Sequence, residues 1–389
     1  MTRDLRLLVI AMFTWGIGEG MFLIFQPIYL EQLGADPLLI GAILGAAGIT
    51  MAIAQAPAGH LADRIGPRPV MWATWLLGTC AAAMMALAGS LPFFVAGLLT
   101  YGLTSSVVAP LYSYAASVRG TWATERTLAT VSAAFNAGAI LGPVAGGWLG
   151  EEYGLRIVYA ISACIFVLST LVILQARPSR IESQPGAEAE TSTLLRNRRF
   201  FVLMGLTFLT LFALYFSQPL TPNFLQNQRG LDLNTIGMLG TAGSLGNMAL
   251  ALALGHLPAA IGFTAAQPLV AIFAALMWKG ETAFLFGIGF FFFGGYRLAR
   301  TMSLALSRPL IRASETGLAF GLLETMNAAA MILSPPLAGF LYDRQPDSMY
   351  PAALVLIGAM FILNLVALPR LVRGTAPRSK DIPSLANEP

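Results

Sequence analysis

Long hydrophobic runs, separated by short polar or glycine-containing stretches, follow one another along the whole chain. A helix needs about 20 apolar residues to cross about 30 Å of hydrocarbon. Runs that approach this length predict twelve transmembrane helices, over residues 7–30, 38–58, 69–89, 92–116, 127–149, 156–175, 199–224, 233–255, 264–279, 283–306, 316–341 and 349–369. The ninth run is short for a span. The pattern therefore predicts an all-α membrane protein.

Two polar stretches interrupt this pattern. Residues 176–198 are rich in Ser, Glu, Pro and Arg, a composition that cannot bury a core, and the tail from residue 374 is similar. We expect an N-terminal six-helix bundle over 1–175, a cytoplasmic linker over 176–198, a C-terminal six-helix bundle over 199–373 and a disordered cytoplasmic tail over 374–389.

The two halves resemble each other in sequence. Residues 34–41 match residues 230–237 at an offset of 196, and residues 141–149 match residues 333–341 at an offset of 192. The Gln-Pro pair at Gln26 also has a counterpart at Gln218. Matches in the same order on corresponding helices favour an internal repeat over chance similarity of glycine-rich helices. Parallel repeats of this kind place a binding site near the bilayer midplane, between the halves.

Composition and charge restrict the class further. Hydrophobic residues make up 56% of the chain and charged residues 11%, against about 25% charged in soluble domains. Of the 23 Lys and Arg residues, only Arg156, Arg229, Lys279 and Arg344 fall in loops on the far side if the N-terminus is cytoplasmic. The positive-inside rule then predicts both termini in the cytoplasm of a protein of the cell (inner) membrane. No cleavable signal peptide is expected.

Cysteine and histidine usage argues against an enzyme. Cys80 and Cys164 lie inside apolar runs without a metal or redox spacing. The two histidines lie at predicted cytoplasmic helix ends, and no phosphate-binding loop is present. We expect no metal and no cofactor, with a proton gradient as the energy source. The expected partners are a small-molecule substrate and the lipid bilayer, with no nucleic acid and with the chain as a monomer.

A charged stretch, G-H-L-A-D-R-I-G-P-R over residues 59–68, reads as a hinge between the second and third runs. It resembles the motif G-x-L-a-D-r-x-G-r-[RK] of the major facilitator superfamily, with Pro67 where a basic residue is usual. The resemblance implies a cytoplasmic gate in which Asp63 touches the start of the eleventh helix, near Thr316. The gate residues carried over in this way are Gly59, Asp63, Arg64, Gly66 and Arg68. The second copy of the hinge, residues 255–262, lacks both charges.

A second stretch, G-A-I-L-G-P-V-A-G-G over residues 138–147, resembles the fifth-helix signature of the exporters in that superfamily. Together the resemblances cover all twelve spans and imply two pseudo-symmetric six-helix bundles, closest in pattern to drug/proton antiporter-like exporters. Leu98 stands where these exporters usually carry a fourth-helix Arg. Tight packing with no transport direction encoded is the alternative for the fifth-helix motif. Its packing residues are Gly138, Gly142, Pro143, Gly146 and Gly147.

Ionisable groups inside a membrane are costly unless paired and are therefore functional candidates. Glu324 is expected to pair with Arg300 or Arg297, either structurally or functionally. Glu19 has no basic partner in its own half, and a carboxyl kept from water favours its neutral form, as a proton carrier requires. The alternative is a neutral buried acid bonded to a neighbouring helix. Further candidates for the pathway are the polar side chains of Gln26, Tyr112, Asn136 and Gln218.

These features predict a secondary active transporter that works by alternating access and exports a small amphipathic or drug-like solute against protons. One alternative is proton-coupled uptake or exchange of an anionic metabolite through Arg297 and Arg300. A second alternative is a membrane receptor or sensor that moves no solute.

Overall fold

A computed structural model describes residues 1–177, 194, 197–312 and 315–372, without the side chains of Ala56, Gly59, Asp63 and Gly317. The expected tail over 374–389 and most of the linker lie outside this part of the chain. The N-terminal half consists of α1 (Arg3–Leu23), α2 (Gln26–Gln32), α3 (Pro37–Ile65), α4 (Pro67–Leu87), α5 (Leu91–Gly102), α6 (Val108–Ser117), α7 (Thr124–Tyr153) and α8 (Leu155–Ile173). The C-terminal half consists of α9 (Arg198–Tyr215), α10 (Thr221–Asn227), α11 (Leu233–Leu254), α12 (Ala259–Lys279), α13 (Ala283–Phe293), α14 (Gly295–Ser307), α15 (Thr316–Arg344) and α16 (Met349–Val372).

Eleven helical segments of the described chain are long and apolar enough to cross a membrane. The tenth predicted span is also helical but is divided at Gly294 into α13 and α14. Large apolar side chains such as Leu87, Leu252 and Val355 are more than 70% exposed on the outer surface of the bundle. Lipid is the solvent that such a surface requires, so the chain is an integral membrane protein.

Several predicted spans are interrupted helices. The first breaks before the Gln26-Pro27 pair, so that α2 starts anew at Gln26, and the seventh breaks between α9 and α10 around Gln218. The fourth passes through a 3-10 segment, Leu103–Val107, between α5 and α6. Proline removes an intrahelical donor and disfavours helix in the preceding residue, which accounts for the first two breaks.

The predicted hinge over residues 59–68 is wrong in its extent, because α3 continues as helix to Ile65. The turn is confined to Gly66, whose φ of 92° lies in the region that favours glycine. Pro67 then begins α4, where its missing N–H is not needed. In the second copy, residues 255–258 form a loop between α11 and α12, and residues 259–262 are the first turn of α12. The ninth span is longer than predicted, since α12 starts directly after Pro258.

The sequence repeat has a clear structural counterpart. Asp36 caps α3 by accepting from Leu39 N, and Asp232 caps α11 by accepting from Thr235 N. The loops before these caps each contain a glycine with positive φ, 95° at Gly34 and 66° at Gly230. Equivalent helices therefore begin in the same way in both halves.

The contacts between the halves obey the same symmetry. A Cβ on Gly41 of α3 would overlap the Pro335 carbonyl of α15, and one on Gly237 of α11 would overlap the Pro143 carbonyl of α7. These contacts lie near the start of α3 and α11 and near the end of α7 and α15. We call this end of the bundle, opposite the N-terminus, the distal end, and the other the proximal end.

Candidate functional site

A cavity of about 290 Å³ lies between the helices of the N-terminal half and α14 of the C-terminal half. Its walls come from α1, α3, α4, α5, α6 and α7, and from the 3-10 segment between α5 and α6. Arg297 is the residue that α14 contributes. The predicted pathway residues that line it are Glu19, Tyr112, Asn136 and Arg297.

Glu19 lies in an aromatic environment on one side of this cavity. The indole Nε1 of Trp15, one turn earlier on α1, donates to Glu19 Oε2 at 3.2 Å. Trp15 stacks on Phe166 with ring centroids 4.0 Å apart and meets Trp75 edge-on at 5.3 Å. Tyr101 also lines the cavity and lies close to the same carboxylate. These rings fix the position of Glu19 and exclude water from much of its surroundings.

Arg297 faces the cavity from the other half. Its Nη1 donates to Asn136 Oδ1 on α7 at 3.1 Å, a hydrogen bond that joins the two halves. Next to it, the hydroxyl groups of Tyr112 and Ser132 lie 3.2 Å apart. Asn136 and Tyr112 therefore line the N-terminal wall beside the guanidinium.

Glu19 and Arg297 are close enough to interact electrostatically. They do not form an ion pair with each other, since within the described residues the ion pair observed is that of Arg300 with Glu324. The cavity is thus lined by a carboxylate from the N-terminal half and by a guanidinium from the C-terminal half.

Arg300 and Glu324 pair as their similar depth predicts. Arg300 Nε donates to both carboxylate oxygens at 3.1 Å, and Nη2 donates to Glu324 Oε2 at 2.6 Å. Nearby, the Tyr296 hydroxyl donates to Asn327 Oδ1 at 2.7 Å. Neither member of the ion pair lines the described cavity. The pair joins α14 to α15 within one half.

The two glutamines are not brought to the cavity. Gln26 is buried at the start of α2, and Gln218 lies in the break before α10. Their positions remain equivalent in the two halves, but the cavity wall contains neither.

Glycines of the fifth-helix motif bring α7 into backbone contact with α1. A Cβ on Gly138 would overlap the Phe13 carbonyl, one on Gly142 would lie 2.6 Å from Gly20 Cα, and one on Gly146 would overlap the Met21 carbonyl. Gly147 faces away from α1, towards α11 of the other half. Pro143 stays within the helix.

The predicted gate residues lie at the proximal end. Arg64 is exposed, and Arg68 donates from Nε to the Ala176 carbonyl at 2.7 Å while its guanidinium lies 3.8 Å from the Trp72 ring. Arg68 thus caps the end of α8 in its own half. The side chains of Gly59 and Asp63 lie outside the described residues, so the gate contact near Thr316 stays a prediction.

Polar contacts close the distal end. The amides of Asn223 and Asn227 in the C-terminal half donate to the Glu31 carboxylate. Asn223 also donates to the Pro27 carbonyl at 3.1 Å, and the Leu233 amide donates to Glu151 Oε2 at 2.8 Å. Glu31 and Asn223 are equivalent positions at the repeat offset of 192. None of these residues was among the sequence candidates.

Sequence reasoning also missed the aromatic wall of Trp15, Trp75 and Tyr101. One signal was available, because Trp15 precedes Glu19 by four residues and such pairs share a helix face. Trp75 and Tyr101 carried no comparable signal, since their meeting with α1 depends on tertiary packing.

Comparison with known proteins settles the family. The sequence profile of the Major Facilitator Superfamily matches residues 8–294 and 203–388. The chain belongs to this superfamily. Membership indicates a transporter and not an enzyme, and the chain has the superfamily's helical fold.

Two relatives of known sequence are similar to parts of the chain. An uncharacterized transporter of the same type from Methanocaldococcus jannaschii is 24% identical over 208 residues, 51% of this chain and 54% of that protein. The multidrug resistance protein MdtG of Citrobacter koseri is 30% identical over 181 residues, 44% of each. The matches thus span about half the length of these relatives.

Solved transporters share the fold at lower identity. The nucleoside transporter NupG has a TM-score of 0.78 at 14% identity, covering 95% of this chain and 99% of that one. A mutant of the peptide transporter POT has a TM-score of 0.79 at 15% identity, covering 97% and 96%. At such identity the likeness concerns the fold alone.

Proposed function

We propose that this chain is a proton-coupled exporter of a small amphipathic or drug-like solute, located in the cell (inner) membrane with both termini in the cytoplasm. The observation that carries the proposal is Glu19, a half-buried carboxyl in the cavity between the halves. It accepts a hydrogen bond from a neutral indole and forms no direct ion pair with any residue that the structure describes. A carboxyl in the membrane-spanning part that lacks a paired cation is available to a proton, as a proton carrier requires. The likeness to MdtG supports export of drug-like solutes.

Proton and cargo would use Glu19 in turn. A solute group that binds the ionised carboxylate is displaced when a proton from the outside neutralises it, and loss of that proton to the cytoplasm restores the site. With cytoplasmic termini, the closed distal end faces outward, so the cavity belongs to the inward-facing half of the cycle.

The test uses purified protein in liposomes with an imposed pH gradient and a panel of dyes, drugs and organic anions. We expect gradient-driven export of an amphipathic solute by the native protein. Glu19→Gln, which mimics the permanently neutral site, should reduce that flux to the rate of protein-free liposomes and weaken equilibrium binding of the solute. Glu125→Gln at an exposed position serves as the matched control. Full gradient-driven flux in Glu19→Gln would contradict the proposal.

Arg297 supports a second candidate, uptake or exchange of an anionic metabolite. Its guanidinium faces the cavity, whereas Arg300 is engaged by Glu324. Replacing both arginines by Gln would abolish transport of an organic anion yet spare export of a cation. A receptor without transport activity would move no member of the panel.

A further inference from the structure

The cavity presents two opposite charges from opposite halves of the molecule. Glu19 belongs to α1 of the N-terminal half and Arg297 to α14 of the C-terminal half. Any solute that bridges them contacts both bundles at once. The chemistry of the two walls therefore specifies which solute fits.

Each charge keeps binding capacity for a ligand. Glu19 Oε2 accepts from the Trp15 indole, and a carboxylate has about four acceptor positions. Among the described residues, Asn136 is the acceptor found for the Arg297 side chain, and a guanidinium carries five N–H donors. Both neighbours are neutral, so within the described part of the chain neither formal charge is cancelled by a direct ion pair.

The space and the walls between the charges limit the size and character of the solute. Cavities of roughly 300–1,000 Å³ hold drug-sized ligands, so a cavity of about 290 Å³ takes a small one. Trp15, Trp75 and Tyr101 give it flat apolar surfaces. Aromatic faces attract both flat apolar bodies and cations.

Electrostatic complementarity decides the charge of the solute. A simple cation is attracted by Glu19 but repelled by Arg297. A simple anion is attracted by Arg297 but repelled by Glu19. A molecule with one cationic and one anionic group satisfies both walls and leaves no charge unpaired in a site of low polarity. We infer that the preferred cargo is a small aromatic zwitterion, its cation on Glu19 and its anion on Arg297.

This inference rests on the proposed function, because it assigns a cargo class to the same cavity. It adds a role for Arg297 in export, as the receptor of the anionic group. Asn136 then positions the guanidinium.

Equilibrium binding of two matched sets of probes tests the inference. The first set is phenylalanine, 2-phenylethylamine and 3-phenylpropanoate, and the second is tryptophan, tryptamine and 3-indolepropionate. Each set keeps one aromatic body and removes either the carboxylate or the ammonium. Calorimetric titration of the full chain in nanodiscs at neutral pH, without a gradient, gives the affinities.

We expect the zwitterion of at least one set to bind tenfold or more tightly than its singly charged partners, about the effect of one charge-assisted hydrogen bond. Glu19→Gln should make the zwitterion bind no more tightly than the anion of its set. Arg297→Gln should make it bind no more tightly than the cation. Glu19→Asp, which keeps the charge, should retain the preference and guards against a folding defect. Glu125→Gln and Arg370→Gln, at exposed positions, are the controls.

Three results would overturn the inference. A cation or anion binds as tightly as the zwitterion of its set or more tightly, no probe of either set binds, or the preference for the zwitterion survives both neutralising variants. Failure of the inference and failure of the proposed function give different results in the binding and flux measurements. Zwitterion binding without gradient-driven flux would refute the proposed export alone. Gradient-driven export of cations without zwitterion preference would refute the inference alone.

Discussion

Glu19 and Glu324 are both acidic residues within the membrane-spanning part, yet their surroundings give them different chemistry. Glu324 accepts three hydrogen bonds from Arg300, so its charge is balanced locally. Glu19 accepts from a neutral indole and faces a cavity. A balanced pair serves structure, whereas an unbalanced carboxyl is available to a proton or a ligand.

The ion pair gives a prediction on stability. Arg300→Gln should leave Glu324 without its cation and lower the free energy of unfolding by about 1 kcal/mol, since the partly exposed side chains are screened. The double variant Arg300→Gln/Glu324→Gln should recover most of this loss, because no charge is left unpaired. Thermal unfolding of the single and double variants in detergent measures these changes in stability. If the loss in the double variant equals the sum of the losses in the two single variants, the two residues are not coupled.

The sequence indicates some of these residues but not how they meet. Similar depth on adjacent helices predicts the Arg300–Glu324 pair. The bond from Arg297 to Asn136 crosses between the halves, and hydrophobic pattern carries no information on which side chains meet there. Gln26 and Gln218 both lie where a predicted span is interrupted, but a shared interruption does not tell whether either side chain faces the cavity.

At the scale of helices, small residues determine how closely neighbours pack. The α1–α7 contact is made by glycines on both helices, because a Cβ on Gly16 or Gly20 would meet the α7 backbone just as one on Gly142 would meet α1. In lipid, such close van der Waals packing is a main source of helix association.

Gly142→Ala tests this contact. The added Cβ would lie 2.6 Å from Gly20 Cα and from the Ile17 carbonyl oxygen, so α1 and α7 must separate, at a cost of about 1–3 kcal/mol. Gly358→Ala, in α16 with nothing within 4 Å of the new Cβ, should be neutral or stabilising by up to about 1 kcal/mol. The unfolding temperatures of the two variants are compared with that of the native protein. Equal unfolding temperatures of Gly142→Ala and Gly358→Ala would refute the role of Gly142 in packing α1 against α7.

Helix boundaries show where a sequence pattern is insufficient. The charged stretch over 59–68 looked like a hinge because glycines and charges normally end a transmembrane run. Helix α3 nevertheless continues to Ile65, and Gly66 with its positive φ, followed by Pro67, ends it. The Gln-Pro pairs indicated that the first and seventh helices are interrupted. They did not indicate how far each interruption extends.

At the scale of the whole molecule, two related bundles meet mainly at the distal end. The symmetric contacts of Gly41 with Pro335 and of Gly237 with Pro143 are reinforced by the bonds to Glu31. These contacts hold the two halves together at the distal end. Alternating access requires them to break when the proximal end closes.

The most direct test of this account measures both ends of the bundle at once. Pairs of spin labels at Glu152 and Glu281 report the distal end, and pairs at Glu125 and His256 report the proximal end, in a background with Cys80 and Cys164 replaced by Ser. Glu31→Ala combined with Gly237→Ala removes distal contacts, whereas Gly142→Ala, within one half, is the control. Pulsed electron paramagnetic resonance in nanodiscs gives the distances.

The account predicts reciprocal changes in the Glu31→Ala/Gly237→Ala variant, with longer distal and shorter proximal distances than in the native protein, and no such exchange in the control. Distal distances that lengthen while the proximal ones stay unchanged or lengthen too would contradict two bundles rocking about the cavity.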